Sequence, residues 1–584
     1  MTIRVSAALA VLSICSVVTA AAAQSPKADK PRAKHANSQA EISAIETQVR
    51  EMRNDLQSQI DDLKAQLAAK DAEIAALQRA SHETEDKTTA TMQRVNGDVH
   101  QNDSMVKALV ASVTDLQASN AVVATSIRQT QKAQEKLERS VENPVALRYK
   151  GVTIVPGGFL AGESVWRQRA MNADIYTNFN ATPYMGSGEA HISEWVPTAR
   201  QSRFSTYFSG KVPFGSVNAM LEGDFLSAGT TSNNLQSNSY TLRIRQAWGQ
   251  AAFGRVKVTA GQMWTLLTEN RHSTDPGTEV APLFFDANLH VGDSYIRQTG
   301  FRVQDAVTPR LTLAAALENS QYQFSASNAP SNFFFGSAGA GGGLNNPTAN
   351  YTDQASPDVL VKAAFDPGYG HYELGGVVRF FRDRYYPGGG AAAANDTRVG
   401  GGFVANARFP VASRLSVGLH LVGGDGTGRY GASLLPDVTV RPDGTLAPLR
   451  NAQGLLSVEF NATKKLEFFG YGGTEYVQRT VYRNGAGVLV GYAPPTGNNT
   501  GCEVEPPPTS GSGYAPGSGT CLGATRDIAQ GSVGWVYRAY SGPAGRLQYG
   551  LAYSYLTRTG WTGLGGAPTA TNNMVYTSFR YYIP

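Results

Sequence analysis

About sixteen stretches of this chain, each some ten to fourteen residues long, alternate apolar and polar side chains with a period of two. Alternation of this kind marks a strand with one greasy face and one wet face. The stretches run from 152–165 and 201–212 through to 545–558 and 572–583. The connections are the stronger constraint. Those after the second, fourth, sixth and every later even stretch are tight, such as PFGS from Pro213 and DPGYG from Asp366. The others include 166–200, 265–293, 320–356, 425–452 and 479–526, all beyond ordinary loop lengths. A soluble sandwich has no reason to keep short and long turns in strict alternation, whereas a membrane barrel does, with short turns on one side and long loops on the other. The fold class expected is therefore mainly β, a 16-stranded antiparallel transmembrane barrel, with 18 strands the competing count.

The last stretch shows the logic. Val575, Thr577, Phe579 and Tyr581 share one face, and Tyr576, Ser578, Arg580 and Tyr582 share the other. In a bilayer every backbone polar group must be paired, so strands cross only as a closed barrel. Lipid then meets one face and the lumen the other. Aromatics expected at the interfaces, gathered at strand ends, are Trp166, Trp264, Phe381 and Tyr476 on the long-loop side, and Phe365, Phe409, Tyr540 and Tyr582 on the short-turn side.

Before the barrel the chain changes character. Residues 1–23 read as a secretory signal peptide, with an apolar run and Ala21 and Ala23 before the cleavage point. Residues 24–37, including KADKPRAKH, form a basic linker, more simply a solvated spacer than a wall-binding arm. From 38 to 143 apolar residues recur at heptad spacing, from Ile42, Ile45 and Val49 to Leu137 and Val141. This is a periplasmic coiled coil. Asn102 and Asn120 fall in its seam, as register-fixing residues or tolerated defects. Such a stripe cannot be buried alone, so self-association is implied, with a homotrimer expected. Asn143-Pro144 ends the helix, and the barrel domain spans 148–584. The net charge of +5 is too small for a nucleic-acid surface.

The inward parity carries Arg203, Arg243, Arg245, Arg379, Arg408, Arg538 and Arg580, with Glu222 and Asp224 among the acids. Charge on so many inner faces implies water, because unpaired charges in a packed core are costly. Arg243 and Arg245 repel one another unless Glu222 and Asp224 neutralise them, and both arrangements are open. Loop 265–293 mixes Arg271, Asp275, Glu279 and Asp286, and either folds inward as a constriction or lies across the mouth. Cys502 and Cys521 bracket part of the longest loop and are expected to form a structural disulfide. No cofactor and no metal is expected.

Several segments resemble one known group. RYKGVTIVPGGFLAGESVWR (148–167), RQSRFSTYFSG (200–210), LEGDF (221–225), LRIRQAWG (242–249), GQMWTLL (261–267), RQTGFRV (297–303) and ALENS (316–320) occur in the order found in DcaP-like trimeric outer-membrane porins. The resemblance implies a 16-stranded barrel, three per assembly, with a periplasmic coiled coil. It also implies diffusion of small organic anions, dicarboxylates among them, past Arg203, Arg243, Arg245 and Arg297. The chain departs from the group in its long stalk and in ending on Pro584 rather than an aromatic.

The function expected is a passive, anion-favouring porin of the cell outer membrane, in contact with its lipid and lipopolysaccharide. The alternative is a structural tether reaching peptidoglycan through the stalk. A barrel enzyme is disfavoured, since only His371 and His420 sit in strands and no nucleophile motif accompanies them.

Overall fold

The computed structural model describes residues 146–227, 241–336, 352–506 and 521–584, together with Lys70, 113–117, 119, 123 and 125–131, all of which are helical. The expected signal peptide and basic linker lie outside the described residues, as does most of the coiled coil. The chain divides between Pro144 and Val145 into two units. The second is a closed antiparallel barrel of sixteen strands. In chain order they are β1 (Val152–Arg167), β2 (Arg203–Val212), β3 (Gly215–Ser227), β4 (Thr241–Phe253), β5 (Val256–Trp264), β6 (Arg297–Thr308), β7 (Leu311–Glu318) and β8 (Asp358–Phe365). They continue as β9 (His371–Tyr385), β10 (Ala394–Ala412), β11 (Leu415–Asp425), β12 (Arg450–Asn461), β13 (Leu466–Val477), β14 (Thr525–Gly542), β15 (Gly545–Gly560) and β16 (Thr569–Tyr582).

Closure falls on β1. One edge pairs with β2 from Val152↔Gly210 to Phe159↔Arg203. The other pairs with β16 from Phe159↔Tyr582 to Arg167↔Met574. No edge is left to aggregate, and every spanning amide can find a partner. The turns after even strands are as short as expected. At the β2–β3 turn Gly215 adopts φ +149°, and a Cβ there would lie 2.0 Å from the Ala252 carbonyl oxygen, so the turn requires glycine.

The outer wall follows the sequence parity: Leu160, Phe204, Leu221, Leu374, Phe403, Leu456, Val533, Leu551 and Phe579 are exposed. An apolar surface this continuous marks contact with lipid or with another chain rather than with water. Trp166, Phe365, Phe409 and Tyr540 are exposed on this wall, as a girdle requires. Trp264 and Phe381 are not. Phe381 shares the parity of Arg379 and packs edge-on to Tyr322 at 5.4 Å, while Trp264 packs on Tyr295 at 5.6 Å.

The bore is also not uniformly wet. Segments 168–202 and 265–296 fold against the inner wall, where Phe179, Phe284, Phe285 and Val291 join Val165, Phe469, Val536, Leu556 and Tyr576 in one apolar cluster. Loop aromatics have replaced water along this side. On β2–β4 the inner wall stays partly exposed, with the inward-facing Tyr207 at 37%.

Candidate functional site: an arginine wall beside an inward loop

The inner faces of β1–β4, β6 and β16 bring the expected arginines together. Arg203 lies 3.7 Å from Glu222. Arg243 grips Asp224 with two bonds of 3.0 and 2.9 Å. Arg245 bridges both acids, 2.7 Å from Glu222 and 2.8 Å from Asp224. Arg580 holds Glu163 at 2.8 Å, and its guanidinium stacks on Phe159 at 4.6 Å, as that of Arg203 does at 5.2 Å. Arg297, at the outer end of β6, lies 4.9 Å from the Trp264 ring and 5.2 Å from that of Tyr295. It makes no ion pair among the described residues, and its Nη1 is buried without a hydrogen-bond partner. Five guanidinium groups thus stand against three carboxylates, which leaves two positive charges in excess. Of the alternatives posed by the sequence, the pairing of Arg243 and Arg245 with Glu222 and Asp224 is present.

A bulge builds this geometry. Glu222 faces Gln246 while Gly223 faces Ile244, so Arg245 is the extra residue on β4. Arg243 and Arg245 therefore point inward as parity requires, and Gln246, Trp248 and Gln250 beyond them are buried on the same side. Arg203 and Arg243 each keep 27% of their side chains exposed. Tyr295 reports the local potential. Burial alone would raise its phenol, but Arg297, Arg245 and Arg243 outweigh burial and draw it below its ordinary value.

Loop 265–296 is anchored around the inner wall. Glu269 accepts from Arg408 of β10 at 2.6 Å. Ser273 N donates to Asp366 in the short β8–β9 turn at 3.1 Å. Asp275 takes Lys257 Nζ at 2.7 Å and Gln304 Nε2 at 2.6 Å. Asp286 accepts from Thr177 N at 3.1 Å, Asn288 N at 2.8 Å and Tyr576 OH at 2.8 Å. His290 Nε2 lies 3.1 Å from Ser532 Oγ, Gly292 N donates to Glu475 at 2.8 Å, and Ser294 Oγ lies 2.9 Å from His420 Nε2. The loop thus reaches strands from β5 round to β16 within the barrel. Burial raises the Asp286 carboxyl and holds the His290 imidazole down at about 4, so His290 is neutral at neutral pH.

Several expected pore residues sit otherwise. Arg379 is inward but fully buried, held by Asp358 at 3.0 Å, Asp437 at 2.7 Å and the carbonyls of Gly426 and Gln321. It clamps the long loops and meets no lumen water. Asp286 faces Tyr576 rather than the arginines, because loop 265–296 packs its aromatics there. Glu279 accepts its own turn's Gly277 N at 2.8 Å, and Arg271 is exposed. Arg408 and Arg538 are half-shielded, Arg408 shared between Glu269 and Glu459 and Arg538 paired with Glu467. Cys502 and Cys521 form a disulfide. Glu163, Lys257, Glu269 and Tyr295 escaped the sequence reading. Parity with Arg580 could have found Glu163, whereas the loop residues had no periodicity to betray them.

No family model matches the chain, and no curated protein matches it. Among solved structures it is similar to the outer membrane channel DcaP of Acinetobacter baumannii, with TM-score 0.51 and 14% identity over 75% of this chain and 99% of that one. It is also similar to an anion-selective porin from Comamonas acidovorans, with TM-score 0.40 and 10% identity over 74% of this chain and 100% of that one. Salmonella typhi OmpF in complex with daunomycin gives TM-score 0.40 and 8% identity over 75% and 100%. The likeness to DcaP is one of fold.

Proposed function

We propose that this chain is a porin of the outer membrane through which small organic anions diffuse passively, beside an arginine wall and past loop 265–296. One observation carries the reading: the lumen cluster of Arg203, Arg243, Arg245, Arg297 and Arg580 exceeds its carboxylates by two charges. Water-facing guanidinium groups attract anions and repel cations. Arg203 and Arg243 are the groups a solute meets, while Arg245 and Arg297 act through their field. A dicarboxylate suits the wall, since two donor-rich guanidinium groups at different heights can be engaged together. Lys257 and Asp275, paired at 2.7 Å, are partly exposed near the short-turn side.

The sequence resemblance supports a homotrimer, with its apolar outer wall against lipid, lipopolysaccharide and neighbouring copies. The stalk at 38–143 would then hang in the periplasm as a trimerising spacer. Reversal potentials in planar bilayers under a KCl gradient test the reading: the wild type should prefer chloride, and a cation-preferring channel overturns it. Competition by succinate for chloride current tests the dicarboxylate claim separately.

A further inference from the structure

At the long-loop end of β9, Asp383 is an anomaly. Its parity matches Arg379, so it turns toward the loop side, where it is only 2% exposed. Neither of its carboxylate oxygens has a hydrogen-bond partner of ordinary geometry, although the amide of Leu446 bears on it. Directly across the β9–β10 ladder stands a second aspartate, Asp396. Like charges in register on neighbouring strands repel, and a third, Asp443, adds to the negative potential at Asp383.

The nearby cations are already engaged. Arg398 binds Asp396 at 2.5 Å. Arg441 donates to the Leu446 carbonyl and to Thr445 Oγ1, and stacks over Tyr482 at 5.4 Å. Asp443 itself caps the hairpin turn, accepting Thr445 N at 2.9 Å and Thr445 Oγ1 at 2.8 Å. That hairpin pairs Val438–Val440 with Leu446–Pro448. Asp383 is therefore a buried acid wedged between a strand end and a loop ribbon, with only the poorly aligned Leu446 amide and the charge of Arg398 bearing on it. A buried carboxylate so poorly partnered is strongly unfavourable unless a proton or a cation relieves it.

We propose that Asp383 and Asp396 bind a hard divalent cation, calcium or magnesium, that staples the 438–448 hairpin to the ends of β9 and β10. Hard cations prefer carboxylate, carbonyl and water oxygens, and calcium tolerates irregular sets of six to eight. Two carboxylates in cross-strand register supply the charge, and water completes the shell because the site lies at the outer rim. The other way to relieve Asp383 is to keep it protonated, and the two differ in what they demand of the solvent.

The test uses the full chain, refolded into detergent without lipopolysaccharide and stripped with EDTA. Thermal unfolding is followed with and without calcium or magnesium, and terbium emission is read on excitation of tyrosine, since Tyr385 and Tyr386 lie two and three positions along the chain from Asp383. Ligand bound only by the folded state raises the melting temperature with concentration. We expect such a rise in the wild type, and terbium emission that calcium competes away. Asp383→Asn and Asp396→Asn should each weaken apparent affinity by about tenfold or more, while chloride conductance confirms that both variants fold. A wild type indifferent to calcium and magnesium overturns the proposal. So does a calcium response that persists unchanged in Asp383→Asn, or an Asp383→Asn variant that is simply more stable at every calcium level, which would identify a protonated acid.

Discussion

Replacing Arg297 by methionine is the most informative single change to the arginine wall. Most arginines there hold a carboxylate, so removing them would strand a buried acid as well as a charge. Arg297 makes no ion pair among the described residues and leans on Trp264 and Tyr295 instead. Methionine keeps much of that packing, and the lost cation–π contacts cost about 1–2 kcal/mol of stability. The excess on the wall falls from two charges to one. For an anion passing about 8 Å away, the lost attraction is about 0.5 kcal/mol at a water-like dielectric and about 2 kcal/mol at an effective value of 20. The weaker figure already lowers anion occupancy about twofold and raises cation occupancy as much, so the anion-to-cation permeability ratio should drop about fivefold. Reversal potential in asymmetric KCl measures this, and raising the salt should shrink the difference. Asp224→Asn must shift the ratio the opposite way. A wild type and an Arg297→Met channel with equal reversal potentials would refute the idea that uncompensated charge sets selectivity.

Three further outcomes follow from loops and bridge. Asp286→Ala removes three hydrogen bonds, two of which tie loop 265–296 to segment 168–202 and β16. About 3 kcal/mol should be lost, visible as a lower melting temperature and a larger, noisier conductance; an unchanged trace would mean the loop does not limit the bore. Burial, then Glu269, pushes the Asp293 carboxyl up to about 8, against the partial relief of Ser294 N. Its folded form holds a proton that the unfolded chain releases near pH 4, so its contribution is full in acid and is lost as pH rises towards about 8. Melting temperatures should fall between about pH 4 and pH 8 and level off above, and Asp293→Asn should flatten that slope. Replacing Cys502 and Cys521 by serine opens a loop with a sequence separation of 19, which should cost roughly 3 kcal/mol while leaving chloride selectivity intact.

The barrel was legible because lipid and water impose a period of two on every spanning strand, and because closure forces an even count with alternating turns. Tyr576 and Phe579 could be assigned to opposite faces without any coordinates. Parity failed where backbone geometry departs from it. The bulge at Arg245 reverses the alternation beyond it, so Trp248 and Gln250 face inward although a straight strand through Arg243 would turn them out. Trp264 and Phe381 were misjudged because an aromatic at a strand end suits a lipid interface and a loop core equally well. The arginines announced themselves, but Arg379 shows that an inward charge need not meet solvent once long loops fold over it. The partners of loop 265–296 were invisible, since contacts such as Asp286 with Tyr576 join residues far apart in sequence through no repeating pattern.

The inward loop has a consequence for how the molecule is made. Its anchors span nearly the whole circumference, including Tyr576 on the final strand, and the cylinder is sealed only when that strand meets the first. A segment so placed gains its last anchor only when the final strand has joined the wall. Its full set of contacts is therefore completed late, and a cylinder closed with the loop still outside would be a wider pipe until the loop swings in through the mouth.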